Sequence, residues 1–303
     1  MTSLSVFILC HNRPDDAQKA IASVLAQTDR DFELIVSDNS STDDVQTMLK
    51  RNFPTVHCVR RAPMLPALEH FNRCIEEVQT THFCLFHDDD LMHPDYVAQV
   101  KRVAQAHPEA VAIGCNATIE TMGITEATPS FRALNPIQML RHPAELAQRY
   151  FARYQSGIAP FPGYTYHRER IGGVRFDPQG GKYSDVSWLL NLAQLGPLVW
   201  LNQPLMTYRI HTSNDGNTES RRDRLRFLGY LKKHQSTWAK SILEDYRCSF
   251  IYKPVRNHKD ELHLQRRLMA TRFLKHYSWA RYLRLDTWNS LMRHALVKWM
   301  GTP

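Results

Sequence analysis

Short apolar runs alternate with segments of helical periodicity through the first 110 residues of the chain. Four runs have the length and composition of buried strands, at residues 4–10, 32–38, 55–60 and 82–87. After each of them, apolar residues recur at helical spacing, which predicts helices at 14–25, 41–51, 66–78 and 94–107. This alternation predicts an α/β fold, with a parallel sheet covered by helices on both faces.

Polar side chains follow three of these strands at the point where each strand ends. The clusters read "HNRPDD", "SDNSSTDD" and "HDDD". In open parallel sheets, ligands bind at the carboxyl ends of the strands. The three clusters therefore mark the predicted ligand-binding edge of the sheet.

The chain is less regular from residue 111 onward. Its predicted elements are a strand at 110–120, a loop-rich stretch at 157–173, a helix at 184–196 and two strand-like pieces within 197–211. Ser184 or Asp185 is the expected N-cap of that helix, and Gly196 is expected to end it. We predict one domain over 1–215, with halves at 1–110 and 111–215, and a basic helical region over 216–303.

Basic residues are concentrated in the predicted C-terminal region. The chain has 38 Lys and Arg against 30 Asp and Glu, and 19 basic but only 6 acidic residues lie in 221–303. An amphipathic helix is predicted there from Trp288, Leu291, Met292, Ala295, Leu296 and Trp299. Two roles for its apolar face stay open, packing on the rest of the protein or contact with an anionic membrane surface. No nucleic-acid-binding motif accompanies the charge, so no nucleic-acid partner is predicted.

The N-terminal stretch "MTSLSVFILC" has no basic region and only a short apolar run, so we interpret it as a core strand and not as a signal peptide. The six cysteines lack CxxC spacing and are expected to be reduced core residues. No apolar run approaches the roughly 20 residues that a membrane span needs. We therefore expect a cytoplasmic protein, with peripheral attachment to the inner face of the membrane left open by the basic region.

Three consecutive carboxylates, Asp88, Asp89 and Asp90, follow the strand at 82–87. Their mutual repulsion calls for a cation among them. A few hard oxygen ligands at this edge favour Mg²⁺ or Mn²⁺, bound together with a substrate diphosphate. Two other interpretations stay open. One is an acidic turn before the next helix, and the other is a phosphatase loop of the haloacid-dehalogenase type, in which Met92 would replace the usual Thr or Val.

Five motifs resemble, in the right order, those of a family 2 glycosyltransferase with the GT-A fold. They are "FILCHNRPDDAQKAIASVLAQT", "ELIVSDNSSTDD", "HFNRCIEEVQTTHFCLFHDDDLMHPDYV", "KYSDVSWLLNLAQLG" and "TYRIHTSN". The resemblance covers roughly residues 4–214. It implies a nucleotide-diphospho-sugar transferase fold, with a Rossmann-like, mostly parallel sheet and a C-terminal helical extension.

The resemblance also implies a role for each matching residue. Those implied at the donor nucleotide are Asn12, Arg13, Asp38 and Asp88. Those implied at a Mn²⁺ or Mg²⁺ ion are Asp89, Asp90 and His211, although the division of labour among the three aspartates stays open. Asp185 is implied as the catalytic base, which takes the proton of the acceptor hydroxyl.

Three positions depart from the family pattern. His87 stands where many members have the first acid of the DXD region, and Asn39 stands where a second Asp is common. Ser184 replaces the usual Glu before Asp185. The base assignment therefore depends on Asp185 alone.

The implied function is metal-dependent, inverting transfer of a sugar from a nucleoside-diphosphate sugar, expected to be a UDP-sugar. The acceptor would be a glycan, a lipid-linked or a protein acceptor in surface polysaccharide or glycoconjugate synthesis. Two alternatives stay open. A sugar nucleotidyltransferase would have a Gly-rich basic loop after the first strand, which "CHNRPDD" lacks. A non-catalytic, glycan-binding member would have lost the metal or base acids, which are present here.

Overall fold

The computed structural model describes residues 3–151, 157–212 and 221–234. Its strands are β1 Leu4–Cys10, β2 Glu33–Asp38, β3 His57–Arg60, β4 His82–His87, β5 Leu91–Met92, β6 Ala112–Thr121, β7 Ile124–Thr125, β8 Ile137–Leu140, β9 Tyr164–His167 and β10 Leu198–Ile210. Its helices are α1 Pro14–Leu25, α2 Asp44–Asn52, α3 Ala67–Glu77, α4 Tyr96–Ala106, α5 Pro143–Phe151, α6 Ser184–Leu192 and α7 Arg221–His234. The four strands and four helices predicted in the first 110 residues are present, with ends that differ by up to three residues.

One sheet holds these strands in the order β3-β2-β1-β4-β9-β6-β10-β5, while β7 pairs with β6 and β8 with β10. The first four strands are parallel. β9 runs antiparallel to both of its neighbours, β4 and β6. The predicted parallel sheet is therefore correct for the first half of the chain, and the complete sheet is mixed.

β9 lies in the stretch that the sequence analysis assigned to loops, and that assignment was wrong for Tyr164–His167. Both tyrosines of this strand are fully buried. The Tyr164 hydroxyl accepts a hydrogen bond from Trp200 Nε1 at 2.6 Å. Four residues are too few to show a period of two, so only their tertiary neighbours reveal the strand.

The two faces of the sheet bury separate apolar clusters. Phe7 and Leu9 of β1 belong to one cluster, whereas Val6 and Ile8 belong to the other. Successive strand residues point to opposite faces, so both faces of β1 are covered. Helices α1, α2 and α4 contribute to the second cluster, and α3, α5, α6 and α7 contribute to the first.

Helix α7 is the described part of the predicted C-terminal region, and it packs on this body. Phe227 and Leu231 are buried in the first cluster. Tyr230 accepts a hydrogen bond from Asn191 Nδ2 at 3.0 Å. The amphipathic pattern from Trp288 to Trp299 lies outside the described residues, and the domain boundary stays a prediction. Within the described ranges, none of the helices has the length and apolar character required to cross a bilayer.

Candidate functional site

The carboxyl ends of β1, β2 and β4 lie side by side. The parallel register pairs Cys10 with Asp38 on one side, and Leu9 with His87 on the other. The loops that follow are therefore neighbours, as expected for the ends of parallel strands. The backbone N–H of His11 donates to Asp88 Oδ2 at 2.8 Å.

The carboxylate cluster is buried, with Asp88, Asp89 and Asp90 only 0%, 6% and 1% exposed. Arg13 inserts its guanidinium between the first two, with Nη2 at 2.7 Å from Asp88 Oδ1 and Nη1 at 2.5 Å from Asp89 Oδ2. Arg209 donates its backbone N–H to Asp90 Oδ1 at 2.9 Å, and its Nε to the Asp89 carbonyl. Arg13 is therefore the arginine that pairs directly with two of the acids, whereas Arg209 bonds Asp90 through its backbone N–H and also acts on it through its charge.

The three carboxyls differ in their affinity for protons. Burial raises the pKa of Asp88 to about 7, in spite of the opposing charge of Arg13. Burial and the charge of Asp89 raise the pKa of Asp90 well above its usual range. Burial also acts on Asp89, but the charges of His87, Arg13 and His211 outweigh it and lower the Asp89 pKa. In the absence of a further cation, the central carboxylate thus ionises most readily.

Two histidines lie at this cluster. His211 Nε2 is 3.1 Å from Asp89 Oδ2, the same oxygen that Arg13 contacts. A ring nitrogen of His87 and carboxylate oxygens of Asp89 and Asp90 all lie within 4.8 Å of one another. The structure thus brings together the three predicted metal ligands and adds His87, which the sequence analysis treated only as a departure from the family pattern. Its place as the last residue of β4, at the ligand-binding edge, was the available signal.

One buried atom supports a cation at this place. Asp90 Oδ2 has no hydrogen-bond partner among the residues that the structure describes. Leaving a buried carboxylate oxygen unpaired costs free energy, which a bound cation would recover. Carboxylate oxygens with an imidazole nitrogen form a donor set suited to Mn²⁺, and the oxygens alone suit Mg²⁺. The residues present therefore fit the predicted metal.

Asn12 and Asp38 organise the neighbouring loops. Asn12 adopts a left-handed backbone conformation with φ 57°, and its Oδ1 accepts from the Ser41 N–H at 2.8 Å. Asp38 is fully buried. Its Oδ2 pairs with Arg60 Nη1 at 2.6 Å, and its Oδ1 accepts from the Ser40 N–H at 3.0 Å. Sequence reasoning did not single out Arg60, although a basic residue at the end of β3 falls on the same edge of the sheet.

Asn39 clamps the loop that follows β3. Its Nδ2 donates to the Leu65 carbonyl at 2.8 Å, and its Oδ1 accepts from the Leu65 N–H at 2.8 Å. Only an amide side chain can both donate and accept in this way. The departure from Asp at this position therefore has a structural reason.

Asp185 lies in the first turn of α6 and is partly buried. Its Oδ1 accepts from the Val186 N–H at 2.8 Å, and burial raises its pKa to about 6. The predicted cap was wrong, because α6 begins at Ser184 and Tyr183 occupies the N-cap position. The predicted end at Gly196 was also wrong, because the helix stops at Leu192.

Ser184 anchors the turn before α6. Its hydroxyl is 2.6 Å from the Gly181 carbonyl and 3.2 Å from the Asp177 carbonyl. A carboxylate cannot donate to these carbonyls, so the usual Glu would lose the interaction. Ser184 thus has a structural role beside Asp185.

The phenol of Tyr208 on β10 is influenced by the charges of Asp185 and of the carboxylate cluster. Burial, followed by the charges of Asp90, Asp89 and Asp185, raises the pKa of the Tyr208 phenol to about 12. All three carboxyls therefore act on one side chain, although Asp185 is far from the others in sequence. Sequence reasoning noticed Tyr208 only as part of a motif, because this electrostatic effect depends on the tertiary fold.

Two solved structures share the architecture of this chain. The chain matches S. aureus TarS 1-349 in complex with UDP-GlcNAc with a TM-score of 0.63 at 10% identity, over 89% of this chain and 78% of that one. It matches the mannosyltransferase PcManGT from Pyrobaculum calidifontis, in complex with GDP-Man and Mn²⁺, with a TM-score of 0.53 at 15% identity, over 97% and 86% of the two chains. The predicted GT-A fold is therefore confirmed.

Sequence comparison gives a curated relative and a family. The chain is 34% identical over 116 residues to the uncharacterized protein y4gI of Sinorhizobium fredii (strain NBRC 101917 / NGR234). This match covers 36% of the present chain and 13% of y4gI. The chain also spans only 47% of the longer S. aureus TarS structure. Residues 5–162, more than half of the chain, match the family described as Glycosyl transferase family 2. The chain belongs to glycosyl transferase family 2.

Proposed function

We propose that the protein is a metal-dependent, inverting glycosyltransferase that uses a nucleoside-diphosphate sugar, most simply a UDP-sugar. The observation that carries the proposal is the buried cluster of Asp88, Asp89 and Asp90 at the carboxyl end of β4, in which Asp90 Oδ2 has no hydrogen-bond partner among the described residues. Family membership supports sugar transfer. The nucleotide-sugar complexes of two structures with this fold support the donor class.

The donor nucleotide would lie over the loops that follow β1 and β2. Asn12 and Asp38 hold these loops in place through the Ser41 and Ser40 backbone N–H groups. A ribose hydroxyl that reaches Asp88 would meet a carboxyl already bonded to the His11 N–H. The fixed loops would therefore present polar groups to the nucleotide without reorganisation.

The metal would be held by Asp89, Asp90 and His211, and when bound it neutralises the diphosphate that leaves. Arg13 and His211 both contact Asp89 Oδ2 in the present arrangement. A second cation at this oxygen would weaken the contact with Arg13. The guanidinium, anchored on its other side by Asp88, would then be available to a diphosphate oxygen.

Asp185 would be the base. Burial raises its pKa to about 6, so it is ionised at neutral pH and still basic enough to accept a proton. An inverting transfer needs this carboxylate on the face of the sugar opposite the leaving diphosphate. The proton would pass from the acceptor hydroxyl to Asp185 as the new glycosidic bond forms.

The acceptor is proposed from the family context and the charge pattern. A glycan, a lipid-linked or a protein acceptor of surface polysaccharide or glycoconjugate synthesis would suit a cytoplasmic enzyme at the inner face of the membrane. The basic residues from 221 to 303 would favour an anionic surface. Co-sedimentation with anionic liposomes tests this, and equal sedimentation with neutral liposomes would exclude it.

The central experiment is a screen of nucleotide sugars with the full chain. We expect UDP or a UDP-sugar to raise the melting temperature more with Mn²⁺ than without it, because ligand and metal share the carboxylate edge. Slow hydrolysis of the matching donor should accompany binding. Asp89→Ala should lose the metal-dependent part of both effects. If no nucleotide sugar binds better with metal, or if Asp89→Ala behaves like the wild type, the proposal fails.

A further inference from the structure

We infer that His87 supplies a nitrogen ligand to the metal site and makes the site prefer Mn²⁺ over Mg²⁺. The inference rests on the metal dependence of the proposed function. It concerns a position where the family resemblance leads one to expect an acid. It therefore assigns the metal a ligand that the family resemblance does not imply.

The position of His87 supports a direct ligand. A ring nitrogen lies within 4.8 Å of carboxylate oxygens of both Asp89 and Asp90. Ligand atoms around one octahedral ion with bonds of about 2.1 Å are separated by about 3–4.2 Å. Small side-chain adjustments would thus bring the three ligand atoms onto one ion.

The surroundings hold the His87 ring in place. Its centroid lies 5.5 Å from that of Phe161 and 6.1 Å from that of Phe71. The two phenylalanine rings stack on each other at 6.0 Å, and Phe176 packs edge-on against Phe71 at 5.3 Å. This aromatic wall limits the rotation of the imidazole, so little conformational entropy is lost when a metal binds.

A buried oxygen without a hydrogen-bond partner completes the argument. Asp90 is 1% exposed, and the Arg209 N–H satisfies only its Oδ1. Its Oδ2 has no hydrogen-bond partner among the described residues. A cation shared by Asp90 Oδ2, Asp89 and the His87 nitrogen would satisfy this buried oxygen.

The choice of metal follows from the donor atom. Imidazole nitrogen is a softer donor than a carboxylate and lies in the range that transition ions accept. Mg²⁺ prefers oxygen ligands and retains its waters. Replacing an acid by His87 also removes one negative charge from the site. The loss of charge weakens both divalent ions, so it is the nitrogen donor that favours Mn²⁺ relative to Mg²⁺.

The test measures metal binding to the full chain without any turnover. Mn²⁺ affinity is read from the loss of the free-ion electron paramagnetic resonance signal, and Mg²⁺ affinity from competition, each with and without UDP. In His87→Asn, we expect Mn²⁺ affinity to fall about 10-fold or more, and Mg²⁺ affinity to change much less. In His87→Asp, the ratio of Mn²⁺ to Mg²⁺ affinity should fall while Mg²⁺ binding is kept.

The control variant is His93→Asn, which changes a side chain that is 48% exposed and lies outside the group of close ligand atoms. Its Mn²⁺ to Mg²⁺ ratio should equal that of the wild type. Melting curves establish that each variant is folded. If the ratio is unchanged in both His87 variants while the wild type binds metal, the inference is wrong and the proposed function stands. If the wild type binds neither ion, even with UDP, the metal dependence fails and the inference fails with it.

A second measurement identifies the ligand atom directly. Pulsed resonance of bound Mn²⁺ detects nitrogen ligands, and His211 is the other nitrogen at the cluster. In His211→Asn, a nitrogen coupling should persist, and adding His87→Asp should abolish it. Loss of all nitrogen coupling in His211→Asn alone would show that His87 does not bind the metal.

Discussion

Two groups of polar residues share the ligand-binding edge of the sheet. They differ in how completely their polar atoms are paired with other protein groups. In the loops proposed to hold the nucleotide, both oxygens of Asp38 have protein partners, Arg60 and the Ser40 N–H. Asn39 makes a reciprocal pair with the Leu65 backbone. These contacts stabilise the loop conformation before any ligand arrives.

The carboxyls proposed for chemistry are different. Asp90 Oδ2 lacks a partner in the described part of the chain, and burial raises the pKa of Asp185 to about 6. Unfavourable ionisation of this kind is typical of functional sites, because a proton or a bound cation relieves it. The comparison teaches that the side proposed to bind the nucleotide is fully bonded, while the side proposed to bind the metal and supply the base keeps buried carboxyls whose ionisation is unfavourable. This is the trade of stability for reactivity expected of an active site.

The largest expected effect concerns the base. Asp185→Asn should lower kcat by about 100- to 10,000-fold while donor binding stays near that of the wild type. In the wild type, kcat should rise with pH through about 6, as Asp185 loses its proton. Steady-state rates and donor titration measure both. If Asp185→Asn kept the wild-type kcat, Asp185 would not be the catalytic base.

The next effect concerns Arg13, which belongs to both groups. Arg13→Gln leaves Asp88 and Asp89 without their shared guanidinium, so the free energy of unfolding should fall by on the order of 3 kcal/mol. Mn²⁺ should restore more stability to this variant than to the wild type, because it replaces the missing cation. Thermal melts with and without Mn²⁺ measure the difference. Equal gains in the two proteins would contradict a shared position for Arg13 and the metal.

A smaller effect separates loop stability from chemistry. Asn39→Asp removes the donor to the Leu65 carbonyl and should cost about 2 kcal/mol of unfolding free energy. KM for the donor should rise while kcat changes little. Asn52→Asp, on the surface of α2, is the matched control and should stay within about 0.5 kcal/mol of the wild type. If Asn39→Asp were as stable as the control, the clamp would not hold the loop.

The last effect is a gain in the free energy of unfolding of Asp185→Asn, the same variant that loses activity. The pKa of Asp185 is raised in the folded state, so the folded protein binds more protons than the unfolded chain between about pH 4 and pH 6. The free energy of unfolding contributed by this group therefore falls as pH rises through that window. At pH 7.5, Asp185→Asn should be more stable than the wild type by about 2–3 kcal/mol, and at pH 4 by less than about 1 kcal/mol. Urea unfolding at the two pH values measures this, and a constant difference would contradict it.

Local patterns predicted the first half of the fold well. Strands β1, β2 and β4 are buried on both faces, so each appears as an uninterrupted apolar run with polar residues at its carboxyl end. β9 could not be predicted, since Tyr164–His167 is short and its partners β4 and β6 are distant in sequence. The caps of α6 were also wrong, because Ser184 bonds to the preceding turn and not to the helix.

The candidate site, like the fold, could be predicted only in part. Asp89, Asp90 and His211 were predicted as metal ligands, and the structure brings them together. The partners Arg13, Arg209 and Arg60 were not predictable as pairs, because ion pairing depends on positions that only the sheet register sets. The effect of Asp89, Asp90 and Asp185 on the Tyr208 phenol likewise depends on the tertiary fold.

The sequence by itself determined which chemical groups stand at the ends of the strands, since an apolar run must be buried and the polar residues after it must emerge at the sheet edge. Only the tertiary structure decided which of those groups contact one another. It assigned Arg13 to two acids, left Asp90 Oδ2 unpaired and brought His87 to Asp89. The physical reason is that sequence periodicity reports only on neighbouring residues. Burial and Coulomb interactions depend on distances between residues that are far apart in the sequence, and these distances are set only when the chain folds.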